Sequence, residues 1–154
     1  MPKKLITEMR ALSVIQPWAH CIVHEGKNIE NRPRITHLRG TVAIHASAKV
    51  DQERFDWLQE DYGIRLNLDD TAYGAIVGFA DIVDVVTKKT LTRSTKKWFM
   101  GKYGYVLENA VALKEPIPAK GALGFWRIDR RTLQKCVAQL SAKELARFKP
   151  FGRS

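Results

Sequence analysis

One segment near the amino terminus constrains the fold more than any other part of the chain. It reads LSVIQPWA over residues 12–19 and GKNIENR over residues 26–32. Apolar residues at helical spacing, with Pro17 suited to the first turn and Gly26 to the end, predict a short helix over residues 16–25. The alternation of polar and apolar residues that follows predicts a strand that ends at Pro33.

The charges of this segment raise the question of function. Lys27, Glu30 and Arg32 fall within six residues of one another. Two cations and one carboxylate are costly to bury unless they are paired. Residues i and i+2 of a strand share a face, so Glu30 and Arg32 share one environment, with Asn28 beside them. The three side chains therefore either pair among themselves or line a wet cleft.

Length and composition limit the class of protein. A chain of 154 residues predicts one domain, with a core that needs no covalent staples. Cys21 and Cys136 are too few and too far apart for a disulfide framework or a zinc knuckle, which favours a reducing compartment. The start MPKKLITEMR lacks the apolar stretch of a secretory signal, and no apolar run approaches a membrane span. We therefore expect a cytoplasmic protein with no membrane partner.

The net charge of +10 is unevenly distributed. Residues 87–102 carry +6 and residues 127–154 also carry +6, whereas residues 50–86 carry −7. Clustered basic charge is typical of a polyanion partner, because neutralising phosphates releases their counterions. The alternative is a surplus of surface charge that serves solubility and binds nothing specific.

The pattern along the chain predicts an α+β protein that is mostly β. A helix is expected from Asp51 to Tyr62, closed by Gly63, and its acidic residues are expected to form a solvated face. Strands are expected over residues 28–32, 40–46, 74–86 with a bulge at Gly78, 103–113 and 123–128, and further helices over 131–140 and after Ser141. Residues 87–102 are predicted to be irregular or weakly helical, and residues 115–121 to form a loop. Such an order favours a small, mostly antiparallel barrel with helices at its rim.

Several of these blocks resemble the ASCH domain, which belongs to the PUA-like superfold. The matching runs are LSVIQPWA, GKNIENR, GTVAIHAS, GAIVGFADIVDVV, YGYVLENAVAL and PIPAKGALGFWRI, in order over roughly residues 10–130. The resemblance implies a PUA-like β-barrel of five or six strands over residues 1–130. Residues 131–154 would then form a basic, helical carboxy-terminal extension outside the match.

The resemblance also implies a function and a site. In such domains a cleft beside the first helix is held to bind RNA or a nucleotide-like ligand, and the matched Lys27, Glu30 and Arg32 would face it. We therefore expect a protein that binds nucleic acid, with RNA favoured, or a nucleoside-like small molecule. No cofactor is expected, and a monomer is favoured although the sequence does not give the oligomeric state. The alternative is a hydrolase in the same cleft, either a ribonuclease or an enzyme that resembles the nucleoside amidohydrolases among the relatives. Those enzymes carry Thr where this chain has Glu30, and a carboxylate cannot simply replace a hydroxyl in acyl transfer.

Each charged residue of the segment has a functional and a structural interpretation. Lys27 either neutralises a phosphate, acts as a base, or is a surface lysine after the helix. Glu30 either meets a ribose or base edge, serves as general base, or forms an ion pair with Arg32. Arg32 either grips a phosphate through two hydrogen bonds or fixes Glu30. In the hydrolase alternative, Lys27 and Glu30 are the catalytic candidates.

Four further residues are ligand-binding candidates, two before Lys27 and two after Arg32 in the sequence. Trp18 either stacks on a base or packs in the core, and Gln16 either caps the helix or reaches a ligand. His45 and Ser47 lie two residues apart at the end of a predicted strand, and therefore on one face. They either contact a ligand at the mouth of the cleft or form a hydrogen-bonded structural pair.

The basic stretch within residues 87–102 is the second candidate surface. Its cations alternate with hydroxyl residues and end in aromatic ones, a composition that suits phosphate contacts and base stacking. The candidates are Lys88, Lys89, Arg93, Lys96, Lys97 and Trp98. The alternative is an exposed loop that Trp98 pins to the core.

A metal site is not expected. His20 and His24 have the i, i+4 spacing that can bind zinc, but the chain shows no third ligand and no Glu between them in the metalloprotease position. No nucleophile elbow is present either, although a Ser-His-Asp arrangement remains open at the level of sequence.

Overall fold

A curled, mostly antiparallel sheet forms the body of the protein in the computed structural model, which describes residues 3–153. The strand order is β2-β5-β4-β3-β1-β6, and a short β7 pairs with β3. All neighbouring pairs are antiparallel except β1 and β3, which run parallel. The strands are β1 (Arg10–Val14), β2 (Ile29–Arg32), β3 (Leu38–Ala46), β4 (Ala75–Val86), β5 (Tyr103–Pro118), β6 (Phe125–Arg127) and β7 (Gly152–Arg153).

Four helices border this half-barrel. They are α1 (Trp18–His24), α2 (Gln52–Tyr62), α3 (Arg130–Val137) and α4 (Ala142–Ala146), and a single 3-10 turn spans Leu68–Asp70. The α2 helix starts at an Asp51 side chain that accepts from the Glu53 amide and ends at Gly63 in the left-handed conformation. The α4 helix has the capping box that Ser141 and Glu144 predict. The mostly-β α+β fold class is confirmed.

The prediction of a loop over residues 115–121 is wrong in its first half. Strand β5 continues to Pro118, with Ile117 opposite Ile76 and Pro118 opposite Ala75. Proline lacks an amide hydrogen and is tolerated where one side of a strand has no partner. Strand β2 pairs with β5 only from Tyr103 to Val106, so this end of β5 has that free side.

The basic extension packs onto the same core as the half-barrel. Leu133 and Cys136 of α3 are fully buried in one apolar cluster with Phe79 of β4. Phe148, which follows α4, lies with its ring centroid 4.9 Å from that of Phe79. A domain boundary at residue 130 stays a prediction.

Gly78 allows α1 to lie close against the sheet. A bulge falls between Ile76 and Gly78, as the sequence predicts. A methyl group at Gly78 would lie 2.2 Å from the Val111 carbonyl oxygen and 2.7 Å from Val23 Cγ1. Strand and helix therefore meet at a distance that only glycine permits.

Gly78→Ala is therefore expected to lower the free energy of unfolding by about 3 kcal/mol, because the added methyl overpacks a backbone contact. For a chain of this length that corresponds to a fall in Tm of about 6–12 °C. The fall in Tm is measured by thermal unfolding. The control is Gly152→Ala, a strand glycine with no heavy atom within 4 Å of the added methyl. Equal Tm values for the two variants would contradict the close approach.

Candidate nucleic-acid interface

Lys27, Glu30 and Arg32 form one ion-paired cluster, which we call the charged triad. Glu30 Oε1 lies 3.4 Å from Lys27 Nζ, and Glu30 Oε2 lies 2.7 Å from Arg32 Nη2. Lys27 also donates to the Ile29 carbonyl oxygen. Lys27 is 4% exposed and Glu30 7%, so the ion pair between them is buried. Of the two alternatives for the charges, pairing among themselves is therefore realised, and the cluster keeps one net positive charge.

The backbone explains why these three side chains meet. The Lys27 amide donates to the Cys21 carbonyl oxygen at 3.0 Å, which turns the chain sharply at the end of α1. Strand β2 then pairs antiparallel with β5, with Glu30 opposite Tyr105. Because side chains alternate along a strand, Glu30 and Arg32 share a face.

Burial dominates the electrostatics of Lys27. Desolvation lowers the pKa of Lys27 below its ordinary value, and the carboxylate of Glu30 offsets this only in part. The Lys27 ammonium lies 5.9 Å from the centre of the Trp18 ring, within reach of a cation–π contact. The ammonium is thus held between a carboxylate, a carbonyl and an aromatic face.

A cavity of about 240 Å³ opens beside the charged triad, and we call it the triad cavity. It is large enough for one nucleobase. Helix α2 contributes Trp57 and Arg54, and the loop before β5 contributes Met100. The lining consists of Ile15, Trp18, Lys27, Glu30, Asn31, Arg54, Trp57 and Met100. The charged triad is therefore paired internally, and two of its members, Lys27 and Glu30, also line the cavity, whereas Arg32 does not.

Five lining residues were not predicted from the sequence: Ile15, Asn31, Arg54, Trp57 and Met100. The acidic α2 helix was predicted to be a solvated face, yet its Trp57 ring lies edge-on to Trp18, with centroids 5.7 Å apart. Trp57 remains 37% exposed. A large aromatic side chain in an otherwise acidic helix is the one sequence signal that points to it.

Gln16 and Trp98 were each predicted either to contact a ligand or to have a structural role, and both side chains are packed inside the fold. Gln16 is 1% exposed, its Nε2 donates to the Ala72 carbonyl oxygen at 2.9 Å, and its Oε1 accepts from the His20 amide at 2.9 Å. Trp98 is 3% exposed and stacks on Tyr62, with centroids 4.1 Å apart. Neither side chain is open to a ligand.

The basic segment, residues 87–102, is an exposed loop next to the triad cavity. The side chains of Asn28 and Asn31 donate to the carbonyl oxygens of Ser94 at 2.7 Å and Trp98 at 3.0 Å. These bonds tie the segment to β2, and Met100 brings it to the cavity wall. The predicted binding cations are all exposed: Lys88, Lys89, Arg93, Lys96 and Lys97.

His45 and Ser47 lie elsewhere, in a larger hollow of about 920 Å³. This hollow is near the Gly74 and Pro118 ends of β4 and β5, whereas the basic segment joins their opposite ends. Its lining is Ser13, His45, Ser47, Ala48, Gly74, Pro118, Ala119, Lys120, Gly121, Ala122 and Leu123, none of which lines the triad cavity. Arg32 links the two regions, since its Nη2 donates to the Ser13 carbonyl oxygen at 2.7 Å. Ligand contact by His45 and Ser47 stays a prediction.

The imidazoles of His20 and His24 lie side by side, with ring centroids 4.7 Å apart. Among residues 3–153, no group of three or more His, Cys, Asp and Glu side chains is arranged to hold a metal ion. None of the helices in that range has the length and apolar character that a bilayer crossing requires.

Comparison with known proteins supports the family resemblance. No protein-family model matches the chain. The chain is 26% identical over 132 residues to Activating signal cointegrator 1 from Homo sapiens, and 25% identical to the Mus musculus protein of that name. Each match covers 80% of this chain and 23% of the relative, so the chain spans about a quarter of those proteins.

Solved structures of an ASCH protein have a similar fold. The crystal structure of ASCH from Zymomonas mobilis matches with a TM-score of 0.50 at 17% identity, covering 86% of this chain and 96% of that one. A serine-to-alanine mutant of the same protein matches with a TM-score of 0.50 at 16% identity, covering 84% of this chain and 94% of the other. The chain has the fold of an ASCH domain, and the PUA-like prediction is confirmed at that level.

Proposed function

We propose that this protein binds single-stranded nucleic acid, RNA in preference, through the triad cavity and the basic segment. One unpaired base enters the cavity, and the phosphates on either side lie along the basic segment. The observation that carries this proposal is the base-sized cavity where Trp18, Trp57, Lys27 and Glu30 meet, with exposed lysines and arginine on the adjoining loop.

The walls of the cavity suit a base more than a free phosphate. Trp57 offers a partly exposed ring on which a base can stack. Glu30 Oε1 accepts from Lys27 at a long 3.4 Å and retains capacity for an amino group of a base. Lys27 uses two of its three hydrogens on Ile29 and Glu30, and a base carbonyl or a ribose hydroxyl in the cavity would accept the third in place of the contact with the Trp18 ring.

The phosphate contacts are expected to come from the basic segment. Its five predicted binding cations sit on a loop that two asparagine side chains hold in place, so little ordering is needed on binding. Phosphate contacts of this kind give affinity that falls steeply with salt. The ASCH-domain fold supports the same proposal, since the family resemblance implies RNA or a nucleotide-like ligand.

The test is the salt dependence of binding to a single-stranded RNA of about ten nucleotides. The variant replaces Lys88, Lys89, Arg93, Lys96 and Lys97 with glutamine. If all five contact phosphates, the slope of log K against log salt becomes less steep by about 3.5, at about 0.7 per contact. The control replaces Arg130, Arg131 and Lys135 of α3 with glutamine and is expected to leave the slope unchanged. An unchanged slope in the five-residue variant would refute the assignment of the basic segment.

A hydrolase in the same cavity is the second candidate, and the lowered pKa of Lys27 favours it. A lysine with a lowered pKa is unprotonated in a larger fraction of molecules near neutral pH and can then accept a proton. The protein is incubated with labelled RNA and with acylated cytidine, and compared with Lys27→Met, which keeps the bulk of the side chain. Turnover that is lost in the variant supports the enzyme. Tight binding without turnover supports the binding module.

A further inference from the structure

Ser13 and His45 form a hydrogen-bonded pair on the wall of the large hollow, outside the triad cavity. Ser13 Oγ lies 3.0 Å from His45 Nδ1. The other ring nitrogen, His45 Nε2, lies 2.7 Å from the Ala119 carbonyl oxygen. Trp126 Nε1 donates to Ser13 Oγ at 2.9 Å. The pair lies where the parallel strands β1 and β3 run side by side, with Ser13 directly opposite His45.

The partners fix the direction of each hydrogen bond. A carbonyl oxygen only accepts, so His45 Nε2 carries the hydrogen and the neutral ring leaves Nδ1 as an acceptor. The Ser13 hydroxyl then donates to Nδ1 while its oxygen accepts from Trp126. Burial lowers the pKa of His45 below its ordinary value, which favours the neutral ring that this arrangement of hydrogen bonds requires. Serine, histidine and an orienting acceptor are the parts of an activated nucleophile.

A glycine keeps the pair open to the hollow. A methyl group at Gly121 would lie 2.7 Å from Ser13 Oγ and 2.6 Å from His45 Cε1. The loop over residues 119–123 thus passes the pair at close range, and Ser13 keeps partial exposure and lines the hollow. His45 itself is 1% exposed, so its imidazole is shielded from bulk water.

The geometry points to a second activity: Ser13 is the nucleophile, and His45 the general base, of an esterase site in the large hollow. Ser13 Oγ attacks the ester carbonyl carbon, and its proton moves to His45 Nδ1. The alcohol leaves with that proton, and an acyl group remains on Ser13. A water molecule then gives a proton to His45 and attacks the acyl carbon, and the proton returns to Ser13 as the carboxylic acid departs.

The lining of the hollow indicates the class of ester. Apolar residues dominate it, among them Ala48, Pro118, Ala122 and Leu123, and Leu123 is 98% exposed at the rim. These surfaces suit an ester whose alcohol part is apolar or aromatic. The close approach of Gly121 leaves little room at Ser13, which favours a small acyl group. Lys120, the exposed cation of the lining, is available to a carbonyl oxygen as it becomes negative.

The test uses a fluorophosphonate probe and p-nitrophenyl acetate on the intact protein. The Ser13 oxygen displaces fluoride from the probe, and mass spectrometry of the peptides identifies the labelled serine. We expect the label on Ser13, and we expect Ser13→Ala to lose at least about a hundredfold of the catalysed ester rate. Trp126 is a positioning residue, so Trp126→Phe is expected to lower kcat while leaving KM unchanged.

Two further variants keep the test decisive. Gly121→Ala retains both reacting groups and closes the space above them, so it is expected to lose the label even if Ser13→Ala is unstable. Ser94→Ala removes an exposed serine from the basic segment and is expected to keep the label. Absence of a label on Ser13, or an unchanged rate in Ser13→Ala, would overturn the proposal.

Discussion

Glu30→Gln is expected to lower the free energy of unfolding by about 3–5 kcal/mol, the usual consequence of removing one partner of a buried ion pair. Glutamine keeps the shape of the side chain but removes the charge that faces Lys27 and Arg32. The Lys27 side chain is 3% exposed, so water cannot replace the lost carboxylate. Arg32 is less affected, because it is more exposed and keeps the Ser13 carbonyl oxygen. Urea unfolding at neutral pH measures the difference.

Two controls separate this effect from charge removal in general. Glu8→Gln breaks an exposed pair with Arg127, whose closest atoms are 3.5 Å apart, and is expected to change stability by less than about 0.5 kcal/mol. The double variant Lys27→Met with Glu30→Gln removes the stranded cation and is expected to be more stable than Glu30→Gln alone. A loss below about 1 kcal/mol in Glu30→Gln would mean that the triad is solvated.

Trp57→Ala is expected to weaken binding of single-stranded RNA by about five- to 150-fold, the range that loss of one base–aromatic stack gives. The slope of log K against log salt is expected to stay the same, because no phosphate contact is removed. Affinity and slope are measured together, because a variant with a damaged basic segment would change both the RNA affinity and the slope. Fluorescence anisotropy with a labelled oligonucleotide measures them.

The control for Trp57 is Leu123→Ala, another exposed apolar side chain, which lines the large hollow instead. It is expected to leave RNA affinity unchanged. Trp57 contacts Trp18 at the edge of its ring, so the Tm of Trp57→Ala is measured alongside. Equal RNA affinities for Trp57→Ala and the unmodified protein would show that no base stacks on Trp57 in the triad cavity.

The sequence predicts local structure well wherever one residue type has a single physical role. The acidic helix up to Tyr62, the long strand from residue 74 to Val86 and the bulge at Gly78 all follow from patterning, caps and glycine. The same reasoning fails for strand β5, because proline normally ends a strand and β5 contains both Pro116 and Pro118. Pro118 pairs with Ala75 of β4 and has no β2 partner on its other side, and Pro116 lies where the register between β4 and β5 shifts.

The site is predicted less completely because it depends on contacts between distant elements. Spacing alone brings Glu30 and Arg32 together, since both lie on one strand face. Nothing local indicates that α2 brings Trp57 to the wall of the cavity that Lys27 lines, or that Trp98 stacks on Tyr62 inside the fold. The separation of His45 from the charged triad has the same origin, because it depends on which ends of β4 and β5 the loops join.

Photocrosslinking of the intact protein to a short RNA that carries one thiouridine tests whether a base enters the triad cavity. The thiocarbonyl base reacts with whatever side chain it touches, and mass spectrometry identifies the peptide. We predict crosslinks to the residues of the triad cavity, Trp18, Trp57 and Met100. Crosslinks confined to the large hollow or to α3, with none in the triad cavity, would contradict the account.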